Sequence, residues 1–182
     1  SINFYKNGQS WFTNWKVNYM FYENILKLAK QNLDMKFVIK GKNYNFIKIP
    51  YFADIKKLIE QSPNVHLYNT AINNSPYELI EEAILTIAKY NSTVDELLFK
   101  ERSVIIYDSA GYPTSSYNYG KGLIAKNFKE LEIKFNLWKQ NPKKFNENIV
   151  NESSRYFPVN KPKVKIYNLL HEYLASEFKY YI

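Results

Sequence analysis

Three small polar residues, Asn91, Ser92 and Thr93, separate an apolar run at Ile84 to Ala88 from a segment with helical spacing. The first turn of a helix offers backbone N–H groups and a positive dipole end, and nearby hydroxyls add further donors, so such a turn suits a phosphate group. The residues Thr93-Val94-Asp95-Glu96 also match a capping box, which needs no ligand at all. The turn is therefore either an anion-binding site or a helix cap, and the residues alone leave both interpretations open.

Other candidate side chains also lie next to apolar runs. Glu96, one turn into the same helix, could accept hydrogen bonds from sugar hydroxyls. Lys40 and Lys42 flank Gly41 and could contact phosphate, although lysines in a turn are usually only solvated. Tyr107 and Asp108 end another apolar run, where the carboxylate could bind a ribose or sugar hydroxyl or simply cap the turn.

The candidate residues lie between elements that alternate along the chain. Short apolar or β-branched runs predict strands at Lys36 to Lys40, Val65 to Tyr68, Ile84 to Ala88, Val104 to Tyr107 and Leu123 to Ala125. Helical spacing, Pro and capping signals predict helices at Val17 to Ala29, Ala53 to Gln61, Ser75 to Ala83, Thr93 to Lys100, Asn127 to Trp138 and Val164 to Phe178.

The predicted strands are apolar runs rather than alternating patterns, which is typical of a parallel sheet covered by helices on both faces. We therefore expect an α/β fold with a Rossmann-like parallel sheet, in one domain spanning residues 1–182, with a C-terminal helical extension at about 139–182. In such sheets, ligands bind beyond the carboxyl ends of the strands. The polar turns named above lie at those ends.

The composition excludes some chemistry. The 182 residues include no Cys and two His, so disulfides and thiolate metal sites are excluded and a histidine-rich metal site is disfavoured. We expect no metal or cofactor. No apolar run approaches the roughly 20 residues that span a bilayer, which predicts a cytoplasmic protein with at most peripheral contact at the inner face of the membrane.

The formal net charge of +8 favours an anionic partner, which could be a phosphorylated small molecule, an acidic membrane surface or a nucleic acid. The basic residues are scattered over many segments and form no recognisable nucleic-acid-binding motif, so we expect no nucleic-acid partner. The basic, amphipathic pattern of the predicted final helix could dock a partner domain or an anionic membrane surface, or pack onto its own domain.

The run from Ser75 to Lys134 resembles the C-terminal, donor-binding domain of GT-B fold glycosyltransferases, especially bacterial enzymes that make capsules and other surface polysaccharides. The shared order is helix, strand, polar turn with Ser/Thr, helix with Glu, strand. The resemblance implies that Ser92 and Thr93 contact the donor diphosphate and that Glu96 is the acidic residue of the following helix. It also matches Lys40 to the family's basic residue.

One departure from that family affects the geometry of a turn. The usual Gly-Lys-Pro before the next strand is replaced here by Glu101-Arg102-Ser103, which removes a helix-ending Gly.

The resemblance implies one half of a two-domain enzyme that uses a nucleotide-sugar donor and a glycan acceptor. Each half of such an enzyme takes on the order of 150 to 200 residues, so we expect a missing N-terminal domain. A chain that begins at Ser1 without Met agrees with that expectation. The general base usually comes from the other half, and the catalytic residues are therefore left unassigned.

Two other functions remain open. A nucleotide-sugar epimerase of the same fold would need acid and base side chains, usually including His, and is disfavoured by the shortage of His. A non-enzymatic basic binding module for nucleic acid would account for the positive charge.

Overall fold

The computed structural model describes residues 15–41, 44–68, 79, 82–89, 91–109 and 122–153. The helices in these ranges are α1 (Trp15–Gln31), α2 (Ala53–Glu60), α3 (Ser92–Phe99), α4 (Phe128–Gln140) and α5 (Pro142–Ser153). The strands are β1 (Phe37–Ile39), β2 (Val65–Leu67), β3 (Thr86–Ala88), β4 (Val104–Tyr107) and β5 (Ile124–Ala125), and two 3-10 helices cover Tyr44–Lys48 and Pro50–Phe52.

All the strand pairs among the described residues are parallel, as the apolar runs predicted. The single sheet expected from the sequence is nevertheless divided into a two-stranded sheet, β1-β2, and a three-stranded sheet with β4 between β3 and β5. Phe37 of β1 and Ile87 of β3 pack against the same hydrophobic cluster. The two sheets therefore meet through side chains rather than through a shared ladder of hydrogen bonds, and a mixed α/β fold with short parallel sheets is confirmed at that level.

Strand β4 is buried on both faces. Ile105 and Tyr107 point into a core formed with α1 and α4, whereas Val104 and Ile106 point into a core formed with α3 and α5. All four side chains are at most 1% exposed. This double burial is the reason that the strand is a continuous apolar run instead of an alternating one.

The core on the α1 and α4 side, called the α1–α4 core, comprises Ile25, Leu28, Ile105, Tyr107, Ala125, Leu131, Phe135 and Trp138. The α3–α5 core comprises Val94, Leu97, Leu98, Val104, Ile106, Leu123, Ile124 and Ile149. Helices thus cover both faces of the three-stranded sheet. Residues 142–153, which the sequence assigned to a C-terminal extension, form α5, and Ile149 of this helix is 2% exposed within the α3–α5 core.

Helix α1 also packs against the two-stranded sheet. Leu26 and Ala29 on its other side pack with Ile39 of β1 and with Ile55 and Ile59 of α2. One helix therefore contributes to the cores of both sheets and fixes their relative positions. Within the described residues, no helix has the length and apolar character needed to cross a membrane.

Helix α4 begins where the sequence predicted. Asn127 is extended, its side-chain oxygen accepts a hydrogen bond from the Glu130 N–H at 3.0 Å, and the Glu130 carboxylate accepts from the Lys126 N–H at 2.9 Å. The reciprocal pair satisfies two N–H groups at the start of the helix.

Helix α3 ends in a Schellman turn in which Glu101 stands at the position that Gly normally occupies. Glu101 has φ of 56°, its N–H donates to the Leu98 carbonyl at 3.1 Å, and the Arg102 N–H donates to the Leu97 carbonyl at 2.9 Å. The turn therefore forms despite the missing Gly, and a side chain with a Cβ carries the left-handed conformation.

Replacing Glu101 with Gly is expected to raise the free energy of unfolding by about 0.5 to 1 kcal/mol, because the relief of left-handed strain exceeds the added entropy of the unfolded chain. Urea denaturation measures the change. Lys100→Gly is the matched control: Lys100 has φ of −83°, so Gly there should only destabilise. Equal destabilisation by both substitutions would contradict the strain at Glu101.

One predicted helix is described only in part, and another predicted helix and one candidate residue lie wholly outside the described residues. Of the helix predicted at Ser75 to Ala83, the structure describes Leu79, Glu82 and Ala83, with the Ala83 N–H donating to the Leu79 carbonyl at 3.0 Å. The predicted helix at Val164 to Phe178 and the candidate residue Lys42 lie outside the described residues.

Candidate functional site

The carboxyl ends of β3, β4 and β5 meet at one edge of the three-stranded sheet. Ala88 pairs with Ile106 and Tyr107 pairs with Ala125, so the three strands end nearly level with one another. The turns that leave these strands therefore emerge side by side. We call the described residues that immediately follow the strands, 89, 91–93, 108–109 and 126–127, the carboxyl edge.

Asn91 is the N-cap of α3. Its backbone is extended, with φ of −163° and ψ of 169°, and its side-chain oxygen accepts a hydrogen bond from the Val94 N–H at 3.3 Å. The capping box predicted at Thr93 and Glu96 is thus wrong, because the helix already begins at Ser92. Asparagine is a stronger N-cap than threonine, and its position lets two more residues join the helix.

The other predicted residues of this turn lie in the first two turns of α3. Ser92 is the first residue of the helix, Thr93 is half-buried in the next position, and Glu96 is exposed. The first N–H groups of any helix lack acceptors within the helix and carry its positive dipole end. Asn91, Ser92 and Thr93 are therefore placed together at the carboxyl edge, beside the first N–H groups of α3.

Tyr107 lies in the core rather than at the surface. It is 0% exposed, its ring lies 5.7 Å from the ring of Phe21, and its hydroxyl accepts a hydrogen bond from the Asn24 side-chain amide at 2.7 Å. Burial raises the pKa of Tyr107 to about 12, so the phenol remains protonated at neutral pH. Tyr107 therefore connects β4 to α1 through a hydrogen bond and a ring contact.

Asp108 and Ser109 follow β4 at the carboxyl edge. The Asp108 N–H donates to the Ala125 carbonyl at 2.8 Å and extends the ladder to β5, and the residue is only 5% exposed. The hydroxyl of Ser109 donates to the Val17 carbonyl at 3.1 Å, which brings the first turn of α1 to the same edge. Asp108 therefore lies buried at the carboxyl edge and does not project into solvent.

Lys40 is separated from the other predicted residues by the division of the sheet. It is exposed and follows β1, whose partner is β2. It belongs to the two-stranded sheet, whereas Asn91, Ser92, Thr93, Glu96 and Asp108 all follow strands of the three-stranded sheet.

Lys89, at the carboxyl edge, and its partner Asn18, in α1, were not predicted from the sequence as site residues. Lys89 is the first residue after β3, and its ammonium group donates to the side-chain oxygen of Asn18 in α1. Lys89 directly follows an apolar run, a signal that marks it as a strand-end residue, but its partner is 71 positions away and has no local signal. Within the part of the chain that is described, no group of three His, Cys, Asp or Glu side chains could hold a metal ion.

Comparison of the chain with protein-family models, with curated proteins and with solved structures found no match. The function is therefore inferred from the residues and from their arrangement at the carboxyl edge. That arrangement combines helix N–H groups, small polar residues and a lysine, which together can bind an anion and stabilise negative charge.

Asn91→Ala is expected to lower the free energy of unfolding by about 1 kcal/mol, because the Val94 N–H loses the side-chain cap. Thermal or urea denaturation followed by circular dichroism measures the loss. Asn91→Asp retains an oxygen acceptor and serves as the control that should stay close to the wild type. Thr93→Ala should cost clearly less than Asn91→Ala, and the reverse order would restore Thr93 as the cap.

Proposed function

We propose that the carboxyl edge binds the diphosphate of a nucleotide sugar and that the chain is the donor-binding part of a glycosyltransferase in bacterial surface-polysaccharide or capsule synthesis. The observation that carries this proposal is the position of the Asn91 turn. It opens α3 directly after a parallel strand, with the end of β4 level beside it. This is the location at which open parallel sheets bind phosphorylated ligands.

The chemistry of glycosyl transfer gives this edge its role. As the bond between the sugar and the diphosphate breaks, negative charge grows on the phosphoryl oxygens. Fixed N–H dipoles and hydroxyl donors that already point at those oxygens stabilise the charge without having to reorganise. Asn91, Ser92 and Thr93 would supply these donors, and the exposed carboxylate of Glu96 would accept hydrogen bonds from the ribose or the sugar.

Three of the predicted residues have reduced roles in the proposed site. Tyr107 drops out of the proposed site because its ring is in the core and its hydroxyl already bonds to Asn24. Asp108 remains at the carboxyl edge, but because it is buried we assign it to stabilising the turn rather than to binding a ribose. Lys40, in the other sheet, would reach only an outlying part of a donor.

The resemblance of Ser75 to Lys134 to GT-B donor-binding domains supports the same function. In that architecture the acceptor site and the general base belong to the other domain. The acceptor and base would accordingly be supplied by a preceding domain, and the edge described here would bind the donor and stabilise its leaving group.

The double substitution Ser92→Ala with Thr93→Ala is expected to weaken nucleotide-sugar binding roughly tenfold or more, the loss of one or two hydrogen bonds to a charged group. Isothermal titration calorimetry with sugars linked to uridine, cytidine and guanosine diphosphates measures it. Ser62→Ala is the matched control, because Ser62 lies in the turn before β2, where its hydroxyl donates to the Leu58 carbonyl at 2.7 Å.

Unchanged affinity in the double variant, with an unchanged circular dichroism spectrum, would contradict the proposed site. A wild-type chain that binds none of these donors, yet binds single-stranded nucleic acid with an affinity that falls steeply with salt, would contradict the proposed function and favour a basic binding module.

A further inference from the structure

Lys89 occupies an unusual place for a lysine. It is half-buried directly after β3, and its ammonium donates to the Asn18 side chain on the first turns of α1. Its carbonyl accepts a hydrogen bond from the Asn91 side-chain amide at 3.1 Å. Hydrogen bonds therefore connect the backbone of Lys89 to the N-cap of α3 and its side chain to α1.

Burial at this position disfavours the protonated form of the Lys89 side chain. Burial lowers the pKa of Lys89 to about 8, below its usual value of 10.5. The unfolded chain therefore holds more protons than the folded chain between these two values, so the free energy of unfolding rises as the pH increases through this window. At neutral pH the charged amine costs the fold stability, and residues kept at such a cost are commonly functional.

Several segments converge around Lys89. Ser109, after β4, bonds to Val17 of α1, one residue from Asn18, so the turns after β3 and β4 are both attached to the start of α1. The elements that meet here carry these other charged residues: Lys16 on α1, Asp95 and Glu96 on α3, and Asp108 after β4. The cause of the lowered pKa is burial of the amine itself.

We propose that Lys89 is the cation that binds the donor diphosphate, with Asn18 holding its ammonium group at the carboxyl edge. This inference rests on the proposed function and adds a binding residue that the sequence pattern did not indicate. A lysine binds phosphate as a compact point charge. An anion that arrives beside a partly desolvated ammonium interacts with it more strongly than it would with a lysine in water.

Binding of the donor would be linked to the proton on Lys89. An adjacent diphosphate stabilises the charged amine, so the bound form keeps its proton to a higher pH than the free form does. Affinity should then fall as the pH rises through about 8. A nucleotide sugar is a suitable probe, because its diphosphate is esterified at both ends and has no phosphate proton to lose in this range.

The experiment is calorimetry with the nucleotide sugar that the wild type binds best, at about pH 7 and about pH 9. We expect the wild-type affinity to fall about tenfold between these two values, as for a group that titrates midway. Lys89→Met should weaken binding at the lower pH roughly 10- to 100-fold, the loss of one charge-assisted contact. Lys89→Arg keeps its charge and should bind with little dependence on pH.

Lys100→Met is the matched control, because it removes the same charge at the far end of α3, before β4. It should bind as the wild type does. Lys89→Met should be at least as stable as the wild type in thermal denaturation at pH 7, which separates lost binding from lost folding.

Each outcome decides between the two proposals. If the wild type binds and Lys89→Met binds equally well, or if Lys89→Arg shows the same fall with pH as the wild type, the role of Lys89 is overturned while the proposed function stands. If the wild type binds no nucleotide sugar, the proposed function fails and this inference fails with it.

Discussion

The burial of β4 on both faces is the constraint on which the rest of the structure depends. A strand covered by α1 and α4 on one side and by α3 and α5 on the other must have apolar residues at every position, and Val104 to Tyr107 meet that requirement. Its neighbours β3 and β5 run parallel to it, so each next helix must start from the same edge. Both faces of the sheet are covered by apolar cores, so the polar turns lie at the edge where the parallel strands end.

Buried polar side chains have different surroundings in the cores and at the carboxyl edge. Buried polar groups usually have a hydrogen-bond partner, and the hydroxyl of Tyr107 in the core accepts a hydrogen bond from the Asn24 side-chain amide. At the carboxyl edge, by contrast, burial disfavours the charged form of Lys89 and lowers its pKa. The hydrogen bonds to Asn18 and from Asn91 fix the lysine in place. In the proposed function, a bound anion would stabilise the charged amine.

The sequence predicted features with a local signal and missed those that depend on distant contacts. The limits of β4 and the Asn127 cap of α4 follow from a short apolar run and a capping pair. Both Asn91 and Thr93 are acceptable caps, so local chemistry could not locate the start of α3. The inward direction of Tyr107 was equally hidden, because a strand buried on both faces has no polar side to reveal its register.

In the proposed function, phosphoryl oxygens bind at the turn that opens α3. Two-dimensional ¹H–¹⁵N NMR, during titration with a nucleotide sugar, tests it most directly, because each backbone amide reports its own surroundings. We expect saturable shifts of the amides of Lys89, Asn91, Ser92, Thr93 and Ser109, with small changes in α2 and β2. Shifts confined to the two-stranded sheet, or no saturable shift at the α3 turn, would contradict it.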